Sequence, residues 1–299
     1  MRSDPTYQRT RIAPTPSGYL HAGNVLSFVL TAGLARTFGS SILLRIDDLD
    51  IGRVRQAYVV DIFDTLSFLG IPWDEGPVDA DDLRRQWSQR QRVDEYEEML
   101  RTLQERGCVF ACDCTRSRLS GGDFCACAGR SLDMMEPGHT WRLLTNTHNR
   151  IDHLDLYRGP VASDFPSSVQ QAVVRKRDGD PAYHVASLSD DLQFGVDLIV
   201  RGVDLFDSTL LQCRMAEWMS ADAFSRVTFF HHPLLSDPSG RKLSKSAGDG
   251  SVSDLRKNGA SRRDIFQGIA ATLGVKESPD HWKDLFDIVS ETMGITRDA

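Results

Sequence analysis

Apolar residues recur at helical spacing just after a Pro/Gly-rich stretch near the start of the chain. Val25, Phe28, Val29, Ala32 and Ala35 fall on one stripe, the three-and-four spacing of an amphipathic helix. Upstream, "RTRIAP" predicts a strand that runs into the loop "PTPSGYLHAGN" (14–24). Downstream, Gly39 and the apolar run "SILLRI" predict a helix stop and a second strand. Strand, loop, helix and strand make a βαβ unit, the building block of a parallel sheet with covered faces, whose ligands lie beyond the carboxyl ends of the strands. Val59, Ile62, Phe63, Leu66 and Leu69 mark a second helix that stops at "GIPWDEG", and a third is predicted over 92–107, with Gly107 as its stop.

From about 108 to 160 the periodicity breaks down, as in an inserted segment. Beyond it, "QQAVVRKRDGDPAYHVAS" (170–187) reads as two strands around an Asp-Gly turn, "DLIVRGVDL" (197–205) as another strand and "STLLQCRMAEWMS" as a helix. "GRKLSKSAGDGS" (240–251) reads as a flexible polar loop.

Composition narrows the function classes. The 299 residues, 40% apolar and 26% charged, suit one large or two smaller globular domains with a substantial core. No signal-like or membrane-spanning stretch occurs, so the chain is expected to be cytoplasmic and without membrane contact. A net charge of −7 argues against indiscriminate coating of nucleic acid, which needs many phosphates neutralised, although arginines cluster at 84–92, 175–177 and 256–263. Five of the six cysteines fall between Cys108 and Cys127, a clustering that reads as a metal site rather than a disulfide framework.

Three stretches carry chemistry. In 14–24 the prolines restrict φ, the glycines admit close backbone approach, and the helix that follows offers N–H groups and a positive dipole end, a combination suited to phosphate. His21 at its mouth could donate to a nucleotide phosphate; taken alone, the stretch reads as readily as a structural turn whose histidine caps a helix. "RKLSKS", more than 200 residues downstream, sets Lys242 and Lys245 around Ser244 in a Gly/Ser-rich segment able to close over a polyphosphate. "CDCTRSRLSGGDFCAC" pairs Cys112 with Cys114 and Cys125 with Cys127, four thiolates at a loop length suited to a closed, structural tetrahedral Zn²⁺ site; reduced thiols without metal are the alternative. Cys108 reads as a helix-end core residue.

"PTPSGYLHAGN" and "KLSKS", in this order, resemble the two signature sequences of class I aminoacyl-tRNA synthetases. "RIAPTPSGYLHAGN", "LLRIDDLD", "SQR" (88–90), "DGDPAYHVAS", "DDLQFGVDLIVRGVDL" and "KLSKS" follow the order and approximate spacing of the glutamate-specific branch, over roughly residues 10 to 250. The resemblance implies an α/β fold: a Rossmann-type catalytic core in two halves, 1–107 and 166–250, around a zinc-bearing acceptor-binding insertion at 108–165. A short helical region, 251–299, would end the chain. Only 53 residues follow Ser246, so no anticodon-binding domain is expected. That brings the chain nearest to a truncated branch of the family, which attaches glutamate to the queuosine base in the anticodon of tRNA(Asp).

The resemblance also implies roles. His21, Gly23, Asn24, Lys242, Ser244 and Lys245 would bind ATP and stabilise the reacting phosphate with Mg²⁺. Arg11 would meet the side-chain carboxylate of L-glutamate, as a guanidinium fork does best. Ile12, Ala13, Pro14 and Thr15 share its loop, and Tyr183 and Arg201 match the remaining glutamate-site positions, with Tyr183 expected to be buried. Asp47 stands where the family has glutamate to hold the substrate's ammonium group, one methylene shorter. In the metal segment the family closes with a tyrosine and a later cysteine; Phe124 cannot ligate, so Cys125 takes that place. The partners expected are L-glutamate, ATP and queuosine-bearing tRNA(Asp), with the chain a monomer. Two alternatives stand beside this: charging of tRNA(Glu) by a truncated synthetase, and a non-catalytic zinc-dependent RNA-binding paralogue.

Overall fold

The computed structural model describes residues 6–114, 124–145, 150–235 and 250–294. In chain order the first elements are β1 (Arg9–Ile12), α1 (Ala22–Phe38), β2 (Ser41–Leu44), α2 (Gln56–Leu69), α3 (Ala80–Asp82), α4 (Val93–Glu105) and β3 (Val109–Cys112). Next come β4 (Thr140–Leu143), β5 (Arg150–Asp155), β6 (Gly159–Asp164), β7 (Val173–Arg175), α5 (Tyr183–Gln193) and β8 (Leu198–Gly202). The last are α6 (Phe206–Met219), β9 (Thr228–His232), α7 (Val252–Lys257), α8 (Arg262–Thr272) and α9 (Trp282–Thr292). The chain divides into two compact units, one of residues 1–89, 196–204 and 229–299, the other of residues 90–195 and 205–228.

In the first unit the strands run in the order β2-β1-β8-β9. β1 pairs in parallel with β2, from Arg9 against Ser41 to Ile12 against Leu44, and with β8 at Thr10 against Leu198. Ile42–Leu44 and Leu198–Val200 are continuous apolar runs, and Thr10–Ile12 of β1 is buried beside them, because both faces of a parallel sheet are covered. After β1 the chain moves to β2 on one side, while β8 lies on the other. The carboxyl ends of β1 and β8 therefore flank a topological switch point, where open α/β sheets bind ligands.

α1 is buried over most of its length, from Val25 to Ala35, and packs on α9. The close approach depends on Gly33, where an added Cβ would overlap the Phe286 ring of α9. α7, α8 and α9 each begin with a capping box, at Ser251, Ser261 and His281, in which the cap side chain and the N3 carboxylate satisfy amides that the helix itself leaves without partners.

In the second unit β3, β4 and β7 form a three-stranded antiparallel sheet, and β5 and β6 a hairpin running from Arg150 against Asp164 to Asp155 against Gly159. α4, α5 and α6 pack on one another around a buried polar network. Arg92 donates to Asp190 at 2.7 and 3.0 Å, and the Tyr96 hydroxyl donates to the same carboxylate at 2.7 Å.

One expected element differs. The segment 170–187 contains a single strand, β7, and then a helix. Lys176 N–H donates to the Asp180 carbonyl across the Asp-Gly turn, but only an isolated bridge joins Arg175 to Pro181 before α5 starts at Tyr183. The apolar residues of "PAYHVAS" are too few to separate period 2 from period 3.6. The helical set becomes visible only farther on, where Val185, Ala186, Leu188 and Ser189 are buried together.

Candidate active site and metal centre

The loop that leaves β1 is held against the segment leaving β2. Arg45 N–H donates to the Ile12 carbonyl at 2.9 Å and Asp47 N–H to the Pro14 carbonyl at 3.0 Å, so the parallel ladder continues past the strands and fixes residues 12–14 beside 45–47. Pro14 is buried, Ala13 half-buried and Thr15 exposed. Arg11 is 5% exposed and donates to the Val200 carbonyl at 3.1 Å. Arg201 on β8 is buried with its guanidinium 5.4 Å from the centre of the Phe229 ring. Three buried guanidiniums, of Arg11, Arg45 and Arg201, thus stand at the ends of neighbouring strands. A strand end that gathers guanidiniums in this way is chemically suited to an anionic ligand.

Asp47 is 7% exposed and forms a two-pronged ion pair with Arg45, at 2.7 Å from Nε and 3.3 Å from Nη2. The sequence reading singled out Asp47 and passed over Arg45, because nothing in "LLRIDD" distinguishes a surface arginine from one drawn inward by a carboxylate two residues on.

His21 is the N-cap of α1. Its Nδ1 accepts the Gly23 N–H at 3.1 Å, while the Asn24 Oδ1 accepts the His21 N–H at 3.0 Å. Capping therefore fixes the tautomer, since an Nδ1 that accepts leaves the ring proton on Nε2. Gly23 has no Cβ for a reason: one there would sit 3.0 Å from the His21 ring. The structural and the chemical readings of this histidine are thus compatible, one for each ring nitrogen. Asn24 and Gly23 act on the backbone and ring of His21.

Tyr183 lies in the second unit as the first residue of α5. It is not buried but 39% exposed, with its ring edge-on to His184; the segment expected to be a strand here begins a helix. Lys242, Ser244 and Lys245 lie outside the described residues.

The four cysteines chosen from spacing come together in the second unit. Cys112 ends β3, Cys114 follows two residues on, and Cys125 and Cys127 lie at a 3-10 turn. Their sulfurs are all within 4.8 Å of one another, and three separations, Cys112–Cys125, Cys114–Cys125 and Cys114–Cys127, are 3.6 Å. Zn–S bonds of about 2.3 Å in a tetrahedron place sulfurs roughly 3.8 Å apart, so the cluster is compatible with zinc and its sulfurs are well beyond disulfide distance. Cys108 is outside it, with its thiol toward the Arg106 carbonyl, and Phe124 is exposed. Burial pushes the Cys112 thiol up, but the Cys114 amide and the Arg142 guanidinium outweigh it and bring Cys112 down to about 7; burial and its thiol neighbours hold Cys114 up at about 12. The sequence reading missed the surrounding charges: Arg130 pairs with Asp113 at 3.2 Å, and Arg177 donates to the Asp113 and Cys114 carbonyls.

The sequence model described as "tRNA synthetases class I (E and Q), catalytic domain" matches residues 8–123 and 129–287. Relatives named glutamyl-Q tRNA(Asp) synthetase are 33% identical over 264 residues in Prochlorococcus marinus, covering 88% of this chain and 81% of that protein, and 37% identical over 243 residues in Methylococcus capsulatus, covering 80% and 76%. A protein named glutamate–tRNA ligase 2 from Cereibacter sphaeroides is 33% identical, over 84% of this chain and 57% of its own. Among solved structures, glutamate-tRNA synthetase from Elizabethkingia anophelis shares the fold with a TM-score of 0.71 at 23% identity, covering 88% of this chain and 61% of its own. No helix among the described residues is long and apolar enough to cross a membrane.

Proposed function

The chain belongs to the class I tRNA synthetases of the glutamate and glutamine branch, and from that premise we propose that it is a ligase that activates L-glutamate with ATP and transfers the glutamyl group to queuosine in the anticodon of tRNA(Asp). The observation that carries the activation step is the strand-end cluster: buried Arg11, Arg201 and the Arg45–Asp47 pair beside a loop that ends in a histidine of fixed tautomer. In this reading the Arg11 fork holds the side-chain carboxylate of glutamate and Asp47 its ammonium group. The α-carboxylate oxygen then attacks the α-phosphorus of ATP, the bond to the bridging oxygen breaks, and pyrophosphate leaves. His21 donates its Nε2 proton as a hydrogen bond to the phosphate oxygens as charge builds there, and Lys242, Ser244 and Lys245 meet the same phosphates. Mg²⁺ accompanies ATP, held chiefly by the phosphates. Zinc, held by Cys112, Cys114, Cys125 and Cys127, would be structural, tying the end of β3 to the turn at 125–129.

In the second step a hydroxyl of the RNA attacks the glutamyl-adenylate and AMP leaves. What supports tRNA(Asp) is the name carried by the Prochlorococcus and Methylococcus relatives; the Cereibacter relative favours tRNA(Glu) as the second reading. Glutamate-dependent ATP–pyrophosphate exchange tests the activation step. It should be present in the wild-type protein and fall by about 10² to 10³ in Lys245→Ala while that variant stays folded; exchange at the wild-type level in Lys245→Ala contradicts the assignment.

A further inference from the structure

α2 buries an acid that the activation chemistry leaves unused. Asp61 is 4% exposed on a helix whose other buried residues include Val59, Ile62, Phe63 and Leu66. Its Oδ2 accepts the Leu20 N–H at 3.3 Å, and the Ser253 hydroxyl of α7 supports the same carboxylate. Leu20 is also held from its other side, because its carbonyl accepts the Val252 N–H at 2.8 Å. Around this junction Tyr19 packs edge-on to Tyr58 of α2, with centroids 4.9 Å apart, and Lys257 of α7 lies 5.4 Å from the Tyr19 ring centre. The residue so fixed immediately precedes His21. A buried carboxylate costs folding energy, and burial does raise the Asp61 carboxyl above the usual range against the pull of Leu20, Ser253 and Arg256; an apolar residue would serve simple packing better.

We propose that Asp61 is a positioning residue for the adenylation reaction: by gripping the Leu20 amide it sets where the His21 ring stands at the mouth of α1, and so where Nε2 meets the phosphate. The inference rests on His21 as the phosphate donor. Leu20 is clamped on both backbone groups, one from α2 and one from α7, so the direction of the chain entering the N-cap is set by tertiary contacts and not by the local capping box alone. A displacement of about 1 Å at such a donor is enough to cost on the order of 10²-fold in rate.

The test is a double-mutant cycle in glutamate-dependent ATP–pyrophosphate exchange. Asp61→Leu, which fills the space without an acceptor, should lower kcat by about 10- to 100-fold and leave the KM for glutamate within about 2-fold. Asp61→Asn, which can still accept from Leu20, should recover most of kcat. In a His21→Ala background Asp61→Leu should cost no more than about 2-fold, because residues acting through one another are non-additive. Where Asp61→Leu does not fold by circular dichroism, Asp61→Ala carries the same expectations. Losses that multiply in the His21→Ala background, an Asp61→Asn as impaired as Asp61→Leu, or an unchanged kcat in Asp61→Leu beside an active wild type would each overturn the positioning role while leaving the activation reading intact. A wild-type protein with no exchange overturns both.

Discussion

Replacing His21 separates two jobs that the structure gives to one side chain. Its Nδ1 accepts the Gly23 amide at 3.1 Å and closes the N-terminus of α1; an N-cap of this kind is worth about 1 kcal/mol. Its Nε2 proton, in the adenylation reading, stabilises a phosphate, and such a donor is worth about 3 to 4 kcal/mol in the transition state, or 10² to 10³ in rate. A domain stable by roughly 5 to 15 kcal/mol stays almost wholly folded after losing 1, so capping alone cannot explain a rate loss of that size. His21→Ala should therefore lose about 1 kcal/mol in denaturant unfolding and about 10² to 10³ in exchange rate. His21→Ser should recover the stability, since serine is among the best N-caps, and stay as inactive as His21→Ala. Both quantities are read from one preparation, by urea titration and by pyrophosphate exchange. If His21→Ser restores exchange to within about 3-fold of wild type, the histidine is only a cap and the chemical role assigned to Nε2 is wrong.

The four-thiol cluster predicts one zinc per chain by metal analysis of the purified protein, and close to none in Cys112→Ser/Cys127→Ser; a wild-type protein without stoichiometric zinc contradicts the site. Asp190→Ala strands the buried Arg92 guanidinium, which Asp190 holds at 2.7 Å, and should destabilise the protein by about 3 to 5 kcal/mol in urea unfolding; a loss under about 1 would mean that the network is dispensable. Burial lowers the His153 and His232 pKa values from the ordinary 6.5, so both are favoured neutral in the folded state. Stability is then full above pH 6.5 and lost as pH falls through the lowered folded values. The urea midpoint should drop between pH 7.5 and 5.5, and less so in His153→Gln/His232→Gln.

The parts of the fold that were legible were those whose signal is local and long. Seventeen residues of α1 display several turns of periodicity, and the apolar run Ile42–Leu44 of β2 is legible because the sheet buries it. The cysteine spacing likewise announced a cluster, since two pairs across a short loop have few ways to avoid meeting. What stayed hidden was whatever tertiary pairing decides. Arg92 and Asp61 are charged residues that look like surface positions in any local window and are buried where partners distant in sequence, Asp190 and Leu20, meet them, whereas Arg45 is buried with Asp47 only two residues on. A hint was present for Asp61: Thr65, one turn on, is also buried, so α2 buries a wider face than the stripe from Val59 to Leu69 suggests. The helix α5 was missed because its first turn, after Pro181, carries too few apolar residues to choose a period.

The RNA acceptor is the most specific element of the proposed function. Glutamylation by the purified protein, with ATP and labelled glutamate, of tRNA(Asp) with queuosine, tRNA(Asp) without it and tRNA(Glu) tests it directly. Incorporation is expected only into queuosine-bearing tRNA(Asp); incorporation into tRNA(Glu) alone would contradict the proposed acceptor.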